Sequence, residues 1–194
     1  MTDARRLPDP LAAARCLPPG AAVLARDLAP DVLFGLARLC RQRRLQLMVS
    51  GDGRLALRHR AGLHLPDRRQ VRGLLPFLRL WRGGRGGLLS AAAHGRRGLG
   101  RGRRLRVDAL LLSPVFPTRS HPGEGALGLL RWCALARDAA GAVIALGGMN
   151  AAGTRRLPRW VHGVAALEAL LPPRHSVSRM SREIVTGHCS GRTG

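Results

Sequence analysis

Short apolar runs alternate with polar or glycine-rich breaks along most of this chain. Ala21–Ala25, Leu45–Ser50, Gly62–Leu65, Gly87–Ala91, Val107–Ser113, Val143–Leu146 and Gly163–Ala166 each read as a strand bounded by turn residues. Between them the apolar positions take helical spacing. Asp31 is placed to cap a helix through Phe34, Leu36, Leu39 and Cys40, whose basic last turn suits the helix dipole. Further helices are expected over Leu55–Leu57, Leu74–Leu80, Leu127–Ala139 and Leu157–Trp160, with a last one starting at Leu167–Leu171. Residues 94–106 are helical by position, yet Gly95, Gly98, Gly100 and Gly102 each cost about 1 kcal/mol relative to Ala. That segment also shows no apolar stripe.

Strands that alternate with helices imply a parallel sheet with crossover connections. With no hairpin signal, the expected fold is α/β, a closed or nearly closed TIM (β/α)8-type barrel. It spans residues 1–171. The tail 172–194 has no periodicity and few apolar residues, and is expected to be disordered.

Two strand ends carry candidate chemistry. The Val107–Ser113 run breaks at Pro114 into a loop offering the hydroxyls of Thr118 and Ser120, the imidazole of His121 and backbone amides. The run Ala142–Leu146 ends in Gly147-Gly148. Hydroxyls and glycine amides at the C-terminal edge of a parallel sheet suit an anion, phosphate above all.

Composition changes this picture little. The 194 residues are 45% hydrophobic, but three Phe, three Trp and no Tyr leave the core to Leu, Val and Ala. The net charge of +22 comes from 33 basic residues, every one arginine. They rise together with Ala, Gly, Pro and Leu, as a coding bias toward G and C would produce. Clusters at Arg41–Arg44, Arg68–Arg72, Arg82–Arg85 and Arg96–Arg106 are spread along the chain, which favours a solvated surface over a dedicated polyanion site. Non-specific adhesion to nucleic acid at low salt follows from the charge; no specific nucleic-acid partner does. The apolar runs are far shorter than the roughly 20 residues of a membrane span. The start lacks the apolar core of a signal peptide. Cys16, Cys40, Cys133 and Cys189 form no paired motif. A cytoplasmic protein is expected.

The loop residues carry a resemblance. Thr2-Asp3, Gly62-Leu-His-Leu65, His94, Asp108–Thr118, Ser120-His121, Leu127-Gly128 and Ala145–Met149 follow, in order and spacing, the thiamine phosphate synthase family, which includes the TenI-like thiazole tautomerases. The resemblance implies a TIM barrel that joins a pyrimidine pyrophosphate to a thiazole phosphate and releases pyrophosphate with the help of magnesium. It implies that Thr118 and Ser120 hold the thiazole phosphate, with His121 in place of the usual lysine, and that Gly147 and Gly148 present amides to the same group. It assigns Arg26 to the pyrophosphate, with Leu28 where a lysine is usual.

Several positions depart from the family pattern. The Asn-Asp pair that would hold Mg2+ aligns with Ser50-Gly51, Asp52 being one residue off, and the second carboxylate aligns with Arg69. The usual ligands are therefore not present, and no metal residue is assigned. Ala92 replaces the serine two residues before His94, with Ser90 on the same strand face. The tautomerase histidine aligns with Pro114. His94 and His64 remain as acid/base candidates, since imidazole titrates near neutrality, although a histidine on a strand also serves packing. The first barrel strand should precede Thr2-Asp3, so the barrel is expected to be truncated there, through an upstream start codon or drift in a paralogue. Two functions are carried forward. One is a thiamine phosphate synthase-like transferase, and the other a non-catalytic or TenI-like relative that binds a phosphorylated ligand. Oligomeric state is not legible in these residues.

Overall fold

A computed structural model of the chain describes residues 1–2, 9–67, 69–84, 87–118 and 125–166. The strands are β1 (Ala22–Ala25), β2 (Gln46–Ser50), β3 (Gly62–Leu65), β4 (Leu89–Ala93), β5 (Ala109–Leu112), β6 (Ala142–Leu146) and β7 (Gly163–Ala165). The helices are α1 (Pro10–Arg15), α2 (Pro30–Arg43), α3 (Gly53–Arg58), α4 (Leu74–Arg82), α5 (Arg96–Leu105), α6 (Leu129–Arg137) and α7 (Ala151–Arg155). The strands form one sheet in sequence order, every neighbouring pair parallel. This is the curled, helix-covered parallel sheet of a (β/α) barrel, with seven strands among the described residues.

Alternate strand residues face opposite ways. Val23, Val49, Leu63, Leu89, Leu110 and Val143 belong to one buried cluster with Leu36, Phe77 and Trp132 of the helices. The register aligns the other set: Ser50 with His64, His64 with Ser90, and Ser90 with Ala109. On that inner face Leu24 and Met48 are buried, while Leu111, Ile144 and Leu146 are half-buried. At the N-terminus the Met1 ammonium donates to Ala166 O at 3.2 Å, and Thr2 N to Leu24 O at 2.8 Å. Two residues thus link the first strand to the end of the last.

Helix α5 corrects the expectation of a helix with nothing to pack. Gly98, Leu99 and Gly102 are its buried face. A Cβ on Gly98 would lie 2.7 Å from Ala93 Cα, and one on Gly102 would lie 2.7 Å from Leu110 Cδ2. The glycines let the helix backbone rest on β4 and β5, so the missing apolar stripe is replaced by close approach.

Other expectations shift. Asp31 is not the cap of α2: Ala29 holds that position, Pro30 occupies the first turn, and Asp31 follows it. Leu157–Trp160 is not helical. The helix there is α7, capped by the Asn150 side chain, which accepts from Gly153 N at 2.7 Å. Strand β4 begins two residues later than Gly87. Helix α1 had no periodic signal, yet Asp9 caps it by accepting from the amides of Leu11 and Ala12, with Pro10 in the first turn. The expected helix start at Leu167–Leu171 and the tail 172–194 lie outside the described residues.

Candidate functional site

The C-terminal ends of the strands bring the candidate residues to one mouth, but as two separate corners. At the first, the loop after β5 is bound to the end of β6. Val115 N donates to Leu146 O at 3.0 Å, and Phe116 N to Gly147 O at 3.2 Å. Ser113-Pro114 is a cis peptide, and the return of the loop is fixed by Leu127 N on Pro114 O at 3.0 Å and Gly128 N on Val115 O at 3.1 Å. Val115 and Trp132 are fully buried, and Trp132 Nε1 donates to Leu112 O at 3.0 Å.

The double glycine is required by geometry. Gly147 has φ +91° and Gly148 φ +64°. A Cβ on Gly147 would lie 2.7 Å from Pro114 Cα, and one on Gly148 would lie 2.5 Å from Pro117 O. Both positions exclude any side chain. Gly148 therefore sits against the residue preceding Thr118, and the two predicted pieces meet. Ser120 and His121 lie outside the described residues.

The second corner is built from side chains. Arg26 follows β1, with its amide donating to Thr2 Oγ1 at 2.9 Å. Its Nε is 3.4 Å from Asp27 Oδ2, and Arg69 Nη1 approaches the same oxygen at 3.3 Å. Asp27 and Arg69 are more than half exposed, so screening leaves these pairs weak. Asp52 does not face a ligand: its Oδ1 accepts from Leu55 N at 2.9 Å and caps α3. Among the described residues no three His, Cys, Asp or Glu side chains gather as a metal centre would require. A carboxylate committed to a helix cap and an arginine in the other ligand position do not fit magnesium.

The two histidines differ. His64 is buried on the inner face of β3, with Nδ1 2.9 Å from Ser90 Oγ. Burial first, then the Arg101 and Arg26 charges, push its pKa down to about 4. The ring is neutral at physiological pH and forms a fixed rung between β3 and β4. Arg101 donates to the carbonyls of Pro66, Leu65 and Ala92 at 2.9, 3.1 and 3.2 Å, tying α5 to the ends of the same strands. His94, past the end of β4, stands at the open mouth between Asp67 and Ser113. Asp67 and Ser113 had not been singled out as partners from sequence. The β4–β5 register pairs Ala92 with Leu111, so the next same-face positions are His94 and Ser113, and strand pairing could have found that contact.

These features define a class: a parallel α/β barrel with its polar side chains and tight glycine turns at the C-terminal strand ends, where such barrels place their sites. A family model described as thiamine monophosphate synthase matches residues 29–170, and the chain belongs to that family. Among solved structures it is similar to thiamine phosphate pyrophosphorylase from Pyrococcus furiosus, with a TM-score of 0.65 and 18% identity over 84% of this chain and 81% of that one. It is also similar to a native KDPGal structure (TM-score 0.57, 14% identity, 93% of this chain and 85% of that one). Citrate synthase SbnG is similar at a TM-score of 0.54 and 12% identity, over 91% of this chain and 87% of that one. At these identities the likeness concerns the fold. No curated protein sequence matches the chain. No described helix is long and apolar enough to cross a membrane.

Proposed function

We propose that this chain binds a thiazole phosphate at the β5–β6 corner and acts in thiamine biosynthesis as a thiamine phosphate synthase-like protein. The observation that carries the reading is the interlock of Gly147-Gly148 with the Pro114–Pro117 loop, in which Gly148 packs against Pro117, the residue before Thr118. Its phosphate would take the amides of Gly147 and Gly148 and the Thr118 hydroxyl, with Ser120 and His121 assigned to the same group. In the coupling reaction the thiazole nitrogen attacks the pyrimidine methylene and pyrophosphate departs, with Arg26 offering positive charge to the leaving group. Magnesium supplies that charge neutralisation in the family. Here the aligned positions carry no free carboxylates, so turnover is expected to be slow.

The same corner favours a second reading, a relative that keeps the phosphate site and has lost the reaction. Incubation with thiazole phosphate, the pyrimidine pyrophosphate and Mg2+ separates the two. Formation of thiamine phosphate supports the transferase. Binding of thiazole phosphate without product supports the binder. Absence of binding overturns both. A cytoplasmic location accords with either, and its test is fractionation of the native host.

A further inference from the structure

Three residues from three successive strand ends meet at the mouth in an order that the coupling reaction does not use. Asp67, after β3, places Oδ2 3.5 Å from His94 Nδ1. His94, after β4, places Nε2 3.4 Å from Ser113 Oγ, at the end of β5. Carboxylate to Nδ1 and hydroxyl to Nε2 is the connectivity by which an aspartate orients an imidazole and the imidazole activates a serine. Both spacings exceed the roughly 2.6–3.2 Å of an engaged relay, as contacts in unliganded sites often do before substrate binds. Ser113 is 7% exposed, whereas the His94 and Asp67 side chains are 39% and 30% exposed, so the hydroxyl sits on the floor and the base at the rim. Helix α5 starts two residues past His94, and its N-cap Gly95 offers no side-chain bond to the first-turn amides.

We propose that Asp67, His94 and Ser113 form a nucleophilic triad that gives this barrel an acyl-ester hydrolase activity, independent of the thiazole-phosphate reading. Ser113 Oγ bonds to the acyl carbonyl carbon while its proton passes to His94 Nε2. The ester C–O bond then breaks, and the departing alkoxide takes that proton. A water molecule attacks the acyl-serine, again through His94, releasing the carboxylic acid and restoring the Ser113 hydroxyl. Asp67 accepts from His94 Nδ1–H throughout, holding the tautomer with Nε2 free to accept.

The test is covalent labelling of the folded full chain with a fluorophosphonate, followed by peptide mapping, with p-nitrophenyl acetate hydrolysis in parallel. One adduct on Ser113 is expected. His94→Gln should slow labelling by at least about 100-fold, the usual scale of a lost general base. Asp67→Asn should slow it about tenfold with the melting temperature unchanged, and Asp67→Glu should recover part of the rate, because a positioning carboxylate acts through the histidine. Absence of a Ser113 adduct, an adduct on Ser50 or Ser90 instead, or equal labelling in the His94→Gln protein would each overturn the triad. None of these results bears on thiazole-phosphate binding, which is measured separately.

Discussion

The two corners of the mouth are made of different material. The β5–β6 corner is backbone: four hydrogen bonds from Val115, Phe116, Leu127 and Gly128, and two glycines that no side chain can replace. The β1–β3 corner is side chain: Arg26, Asp27 and Arg69, largely in solvent and held by ion pairs. A backbone site tolerates changes in most surrounding residues, because amide positions follow from chain path. A site made of carboxylates disappears when two codons change. The residues that resemble the family pattern lie mostly in the backbone-built corner, whereas the departures at Ser50-Gly51 and Arg69 lie at the ends of β2 and β3.

The sharpest way to break this contrast is Gly148→Val. A branched side chain at φ +64°, against Pro117 O, should cost about 2–4 kcal/mol of stability and lower thiazole-phosphate affinity by more than about tenfold. Denaturant unfolding and titration calorimetry read the two effects, and an unchanged affinity would refute the corner as the phosphate site.

His64, on the inner rung between the corners, gives the next largest effect. It titrates near 6.5 when unfolded and near 4 when folded, so between those values only the unfolded chain holds the proton. Stability is therefore full above about pH 6.5 and falls as the pH drops toward 4, by roughly 3 kcal/mol at most from this group. His64→Gln, which can still bond Ser90, should flatten that part of the stability profile in urea melts. A slope identical to wild type would show that the ring is not neutral in the fold.

The smallest effects are expected at the exposed corner. Asp27→Asn should change stability by less than about 1 kcal/mol, since it removes only solvent-screened pairs. Chelation of divalent cations should leave thiazole-phosphate affinity within about twofold, because among the described residues no carboxylate set holds a metal beside that corner. A large loss on chelation would mean that ligand and ion bind together, and would erase the contrast.

Much of the fold is legible in the sequence. The seven strand runs, their parallel order and the meeting of the β5 and β6 loops all follow from short apolar runs and turn residues. Helix α5 was misread because hydrophobic patterning counts side chains, whereas Gly98 and Gly102 pack by lacking them. Helix α7 was displaced from Leu157–Trp160 because its existence rests on the Asn150 cap rather than on periodicity. At the site, Gly147 and Gly148 stand out in the sequence as the end of an apolar run, whereas Arg26 stands out only through the family resemblance. The Asp67–His94–Ser113 contact was missed because it arises from register between strands, which no single segment encodes.

The link from Met1 to Ala166 and from Thr2 to Leu24 has a mechanical consequence. A complete barrel shares load around a ring, so no seam opens before the rest. Here the described hydrogen bonds that bridge this seam through Met1 and Thr2 are four, all at the mouth end, while the six seams between neighbouring strands are ladders. Among the described residues the sheet is held as a ribbon, with Met1 and Thr2 bridging its two ends. Slow opening should start at that seam, and amides of β1 and β7 should exchange with deuterium ahead of those of β3 and β4.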